Sequence, residues 1–193
     1  MDKQTGKLIA RIAENLPDMD GDLMQNWIDN PKGLQNVLGL ALCPPGTAPL
    51  DPLIRVDRTI RPNYPEWVTK MMHPDLEVTG SAEFNVSRIE QWLHPSQKAG
   101  VKGEVIYEYL KKNGMLENCL DFRDLEEIQK KGLAFFKEHF QDKAVFGWRS
   151  VVRDRRGRLG VPYLVEFGGM VVLCWGWLSS VWLADSPALR FAS

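Results

Sequence analysis

The sequence predicts an α+β protein: a C-terminal antiparallel β-meander packed with helices, plus an α-helical N-terminal arm. Three observations carry this. Residues 144–178 hold three strand-like runs separated by turn residues. Upstream of them, apolar residues recur mostly at helical spacing. Cys43 to Pro52, CPPGTAPLDP, has four prolines in ten residues and reads as a linker. The chain therefore divides into an arm over 1–42, a linker over 43–52 and an α+β domain over 53–193.

In chain order, Lys3 to Asn15 spaces Leu8, Ile9 and Ile12 as a helix, and Pro17 stops it. Asp20 to Leu42 reads as two helices broken at Asn30-Pro31. Leu53 to Ile60 suits a short strand. Asn63 to Met72 suits a helix with Trp67, Val68 and Met71 on one stripe, ended by Pro74. Asn85 to Leu93 suits another, with Ile89, Trp92 and Leu93 inward. Gly103 to Asn113 is a third, closed by Gly114. Asp121 to Phe140 is the longest helix, with Asp121 as N-cap, Asp124 in its first turn and Gly132 weakening its middle. Ala144 to Arg153 alternates as a strand, Asp154 to Gly160 turns, and Val161 to Phe167 is the second strand. Gly168-Gly169 fits a type I′ hairpin. Met170 to Leu178 is apolar on both faces, which places it in the middle of the sheet.

Composition bounds the function. Hydrophobic content of 44% and charged content of 25% are those of an ordinary globular chain of 193 residues. Net charge is −1, so no global field recruits nucleic acid or membrane. From Lys143 onward seven Lys or Arg face three Asp or Glu. Val161 to Ala184 carries the single charge Glu166. Pro162, Glu166 and Gly168-Gly169 interrupt it too often for a spanning helix of about 20 apolar residues. Cys43, Cys119 and Cys174 are three, with no CxxC, which suits free thiols in a reducing cytoplasm. The N-terminus lacks the apolar stretch of a signal peptide.

The segments MQNWIDNPKGLQ, DRTIRPNYPEWV, DLEEIQKKG and DSPALRFAS resemble those of a group of uncharacterised bacterial proteins, over most of the chain. The resemblance implies a bacterial origin and carries no catalytic residue over.

Common catalytic motifs are missing. There is no GxSxG elbow, no GxxxxGK[ST] loop, and no helix after Gly168-Gly169 to make a dinucleotide fingerprint. His73, His94 and His139 form no HxH, HxxxH or HExxH pair, so no metal site is expected. No cofactor is expected either. The three cysteines read as packed small hydrophobes, Cys174 the least reactive. The acidic cluster Glu117, Asp121, Asp124, Glu126 and Glu127 lacks EF-hand spacing and reads as a solvated helix start.

Two candidate sites remain. Asp57, Arg58, Arg61, Tyr64 and Trp67 converge around IRPNYPEW. A buried Asp–Arg pair fixing that turn is the structural use, and a ligand pocket the functional one. Arg153, Arg155, Arg156 and Arg158 crowd one hairpin turn, with Arg149 on the adjoining strand. They make either a solvated turn or a phosphate-binding tip. The expectation is a cytoplasmic, non-enzymatic binding or interaction module for a protein partner, with no membrane. The alternative is a nucleic-acid-associated protein or nuclease contacting phosphates through the arginine hairpin. An enzyme with a site assembled from scattered residues stays open.

Overall fold

The computed structural model describes residues 50–192 and Gln25, so the expected arm and most of the linker lie outside the described residues. The chain divides into two units, residues 1–49 and 50–193, and the second is an α+β domain. It is organised around one long hairpin. Strand β8 (Leu159–Phe167) pairs antiparallel with β9 (Met170–Trp177), Phe167 opposite Met170. Gly168 and Gly169 take φ of +59° and +77°, the positive values a two-residue type I′ turn requires.

The other edge of β8 is shared by two short strands. β6 (Val145–Phe146) pairs with Tyr163 and Leu164, and β7 (Val152–Asp154) with Leu159 and Gly160. They belong to the run expected as one strand. A 3-10 turn at Trp148–Ser150 interrupts it because buried side chains there need partners on another element. Arg149 and Ser150 both turn toward the start of a helix, as the site shows below. Beyond β7 lies β2 (Val68–Met71). Beyond β6 lies β11 (Ala188–Phe191), in parallel, and then β4 (Ile89–Trp92). The sheet is therefore mostly antiparallel with one parallel pair. Two small ladders flank it: β1 (Leu53–Arg55) with β3 (Glu83–Asn85), and β5 (Val101–Lys102) with β10 (Val181–Trp182).

Alternation along the strands divides the core. Val145, Leu164 and Leu189 face α3 (Phe122–Lys130) and α4 (Gly132–Phe140), whose Leu125, Ile128, Phe135, Phe136 and Phe140 fill that side. Phe146, Val161 and Ala188 face the opposite way, onto α2 (Gly103–Lys112) through Ile106, Tyr107 and Leu110. Trp148 is fully buried there, its ring 5.1 Å from that of Trp182.

Several expectations are corrected. Among the described residues, Met170–Trp177 is an edge strand, paired with β8 alone, and half-buried rather than covered on both faces. Residues 63–72 form a turn and β2, not a helix; Pro62 and Pro65 remove two N–H donors, and Val68 and Thr69 are β-branched. Pro74 opens a short helix, α1 (Pro74–Glu77), in the first-turn position where its missing N–H costs nothing. Residues 85–93 are a 3-10 turn and β4, recruited by β11, a strand that sequence reading did not see. The long helix is two, broken where Gly132 takes φ +85°. α2 and its Gly114 terminator at φ +63° stand as expected. Among the described residues, no helix is long and apolar enough to cross a membrane.

Candidate functional site

The N-terminus of α3 begins the site. Asp121 and Asp124 form a capping box: Asp124 N–H donates to Asp121 Oδ1 and Asp121 N–H to Asp124 Oδ2, both at 2.9 Å. Each carboxylate thus keeps one oxygen free, and both free oxygens meet Arg58. Its Nη1 lies 2.6 Å from Asp121 Oδ2 and its Nη2 2.5 Å from Asp124 Oδ1. Arg58 also donates to the Ser81 carbonyl. Both carboxylates are fully buried. Burial raises the pKa of Asp124, the Asp121 charge adds to the rise, and Arg58 opposes it. Arg149 is buried beside them, its Nη2 bonded to the Glu117 carbonyl and its Nη1 4.0 Å from Asp121 Oδ2. The expected solvated helix start is instead an internal ion-pair network, because tertiary packing brings Arg58 and Arg149 onto it.

Ser150 links this network to a cleft. Its Oγ accepts from Phe122 N–H at 2.9 Å and donates to Glu77 Oε1 at 2.7 Å. The Tyr64 hydroxyl donates to the same Glu77 oxygen. Burial raises the Glu77 carboxyl above its ordinary 4.5, while the Tyr64 and Ser150 donors pull it back. Burial, then the neighbouring Glu77 carboxylate, push Tyr64 up, so its phenol keeps its proton.

The cleft holds about 310 Å³, within the usual range for small-ligand sites. Its polar wall is Arg58, Arg61, Arg123, Tyr64, Asp75 and Glu77; its apolar wall includes Ile60, Pro62, Met71, Pro74 and Val78. Ile60 and Val78 are 53% and 68% exposed. The three arginines differ. Arg58 is neutralised by two aspartates. Arg123 is held by Glu126 at 2.5 Å and Glu127 at 3.0 Å. Arg61 has no ion pair or hydrogen bond among the described residues, and neither does Asp75.

Of the five residues expected to bind a ligand, Arg58, Arg61 and Tyr64 line this cleft. Asp57 does not; it is exposed and caps its own turn, accepting from Thr59 N–H and Oγ1 at 2.9 and 2.6 Å. The expected buried Asp–Arg pair exists with different aspartates. Trp67 lies outside the cleft, packing 5.3 Å from both Trp175 and Trp177. Sequence reading missed Asp75, Glu77, Arg123 and Ser150. The Asp121-x-x-Asp124 spacing announced the capping box, but nothing local announced its arginine.

The arginine hairpin is ordered from within. Asp154 Oδ1 accepts from Arg156 N–H at 2.9 Å and Arg158 N–H at 2.8 Å, and Oδ2 binds Arg158 Nε at 2.8 Å. Arg158 lies over the Trp177 ring, 4.1 Å from its centroid. Arg149 is buried elsewhere and leaves the expected set. Arg153, Arg155 and Arg156 remain exposed without ion pairs among the described residues, the last two lining an open hollow with Glu66 and Trp67. Cys119 is fully buried and its thiol is pushed up to about 12, whereas Cys174 is half-buried. Cys174 is therefore the more accessible of those two. Among the described residues, no group of three His, Cys, Asp or Glu could hold a metal ion.

Compared with protein-family models, curated proteins and solved structures, the chain matches none.

Proposed function

We propose that the domain is a non-enzymatic binding module whose cleft takes the free C-terminal residue of a partner protein. The observation that carries this is Arg61, a guanidinium with no ion pair among the described residues, in a cleft whose other two arginines are already neutralised. A guanidinium holds a carboxylate through two parallel hydrogen bonds. Asp75 supplies an acceptor for the backbone N–H of the same residue. Ile60 and Val78 supply apolar contact for its side chain. Tyr64 and Glu77 bond to each other and to Ser150, which favours a role in holding the cleft open over a role in chemistry. A bacterial cytoplasmic setting belongs to the same reading.

N-acetyl-leucine and N-acetyl-leucinamide test it, since they differ only in the carboxylate. Titration followed by amide chemical shifts should show saturable shifts around Arg61, Asp75 and Val78 for the acid alone, abolished by Arg61→Gln. Equal response to acid and amide, or none to either, would sink the reading.

A second reading rests on Arg153, Arg155 and Arg156, which are exposed at the hairpin with no ion pair among the described residues. Contact with nucleic-acid phosphates would weaken with salt at a logarithmic slope near −0.9 per phosphate on duplex DNA. Arg155→Gln/Arg156→Gln would flatten that slope by about two. The expected result is no measurable binding by anisotropy near physiological salt. Tight binding that the double variant loses favours this second reading instead.

A further inference from the structure

Strand β9 has one edge on β8, and no strand among the described residues pairs with the other. Phe167 and Met170 close the hairpin as a hydrogen-bonded pair, so alternate residues face β8. The peptide groups of Val171, Leu173, Trp175 and Trp177 point outward. The carbonyls at the two ends of that outward row are in use. Gln129 Nε2 donates to the Val171 carbonyl, and Ser180 N–H to the Trp177 carbonyl, both at 2.9 Å. Between them, the outward N–H and C=O of Leu173 and Trp175 have no partner among the described residues. Edge strands are ordinarily guarded by lysine, proline or a bulge. Met170–Trp177 has no charge and no proline, and its register on β8 is unbroken.

The open groups are symmetric about Cys174. We propose that β9 pairs antiparallel with β9 of a second copy of this chain, the two-fold axis passing through Cys174. Leu173 of one copy then lies opposite Trp175 of the other, and each such pair exchanges two hydrogen bonds. Four bonds satisfy the open N–H and C=O of Leu173 and Trp175 on both edges. An identical uncharged strand brings no like charges against itself, and a charged peptide would find no counter-charge on this edge. The adjoining surface suits the same occupant. Phe167 and Met170 are 75% and 64% exposed beside half-buried Val165 and Val172, on the hairpin face away from α3 and α4.

Sedimentation velocity of the full chain over a concentration series tests the pairing. A reversible dimer is expected. Cys174→Lys sets two ammonium groups opposite each other at the axis and should return the chain to monomer; Cys174→Ser should remain dimeric. Oxidation with diamide tests the register. Facing residues at the axis are a non-hydrogen-bonded pair with Cα atoms about 4.5 Å apart, within disulfide reach. The wild-type chain should therefore crosslink and Cys174→Ser should not. Val172→Cys in the Cys174→Ser background should not crosslink either, since the two copies of residue 172 would lie about 14 Å apart. The crosslinking arm uses the wild-type chain and needs no folded lysine variant. A chain that stays monomeric overturns the proposal. So does a dimer that crosslinks through Val172→Cys and not through Cys174.

Discussion

At the scale of single residues, the domain depends on a few buried charges with no slack around them. A Cβ added at Gly80 would lie 2.5 Å from Arg58 Cζ and Nη2 and 2.9 Å from Arg149 Nη1. Flexible arginine ends would ordinarily move aside. These are pinned by Asp121, Asp124, Ser81 and Glu117. Gly80→Ala should therefore destabilise by about 1–3 kcal/mol in urea unfolding; an unchanged midpoint would mean that the network yields. Glu77 gives a pH prediction. Its folded pKa is raised, so the folded state holds the proton more tightly than the unfolded chain. Its stabilising contribution is full below 4.5 and is lost as pH rises through the folded value. Glu77→Gln keeps an acceptor for Tyr64 and Ser150 and removes the titration. Melting temperature measured against pH should show the variant gaining on the wild type as pH rises from below 4.5, and a constant difference would contradict this. Arg58 was legible as a buried ion-pairing residue. Its partners lie 63 and 66 residues away in the chain, a separation local pattern does not span.

At the scale of elements, the α3–α4 joint asks for glycine. Gly132 has φ +85° and nothing within 4 Å of an added Cβ, so the only penalty of a side chain there is conformational. Gly132→Ala should lower stability by about 1–2 kcal/mol, the cost of a left-handed L-residue. Stabilisation in thermal melts would show that residues 122–140 run as one helix instead. The hairpin turn, α2 and the Asp121 cap were legible because each rests on contacts a few residues apart. Residues 85–93 and 63–72 misled because Ile89, Trp92, Trp67 and Met71 also fit helical spacing, and only pairing with β11 and β7 draws them into strands.

At the scale of the whole molecule, two cores on opposite faces of one sheet set the stability. Trp148 is fully buried among Tyr107, Phe146 and Trp182. Trp148→Ala should cost about 3–5 kcal/mol. Trp175 packs on Tyr64, Trp67 and Phe122 but is half-buried on the edge strand, so Trp175→Ala should cost clearly less in the same urea series. The comparison is made at concentrations where the chain is monomeric, and equal losses there would mean that the Trp175 ring is as deeply packed as that of Trp148. The order of apolar and polar residues by itself determined the α+β class, the β8–β9 hairpin and the helix that caps on Asp121, since those follow from spacing, turn conformation and local hydrogen bonds. Tertiary structure alone decided that β9 is an edge among the described strands, that Trp148–Ser150 breaks a strand, and that Asp121 and Asp124 are buried beneath a cleft lined by Arg58. Each of those depends on which distant side chain arrives to satisfy a buried charge or an open backbone group.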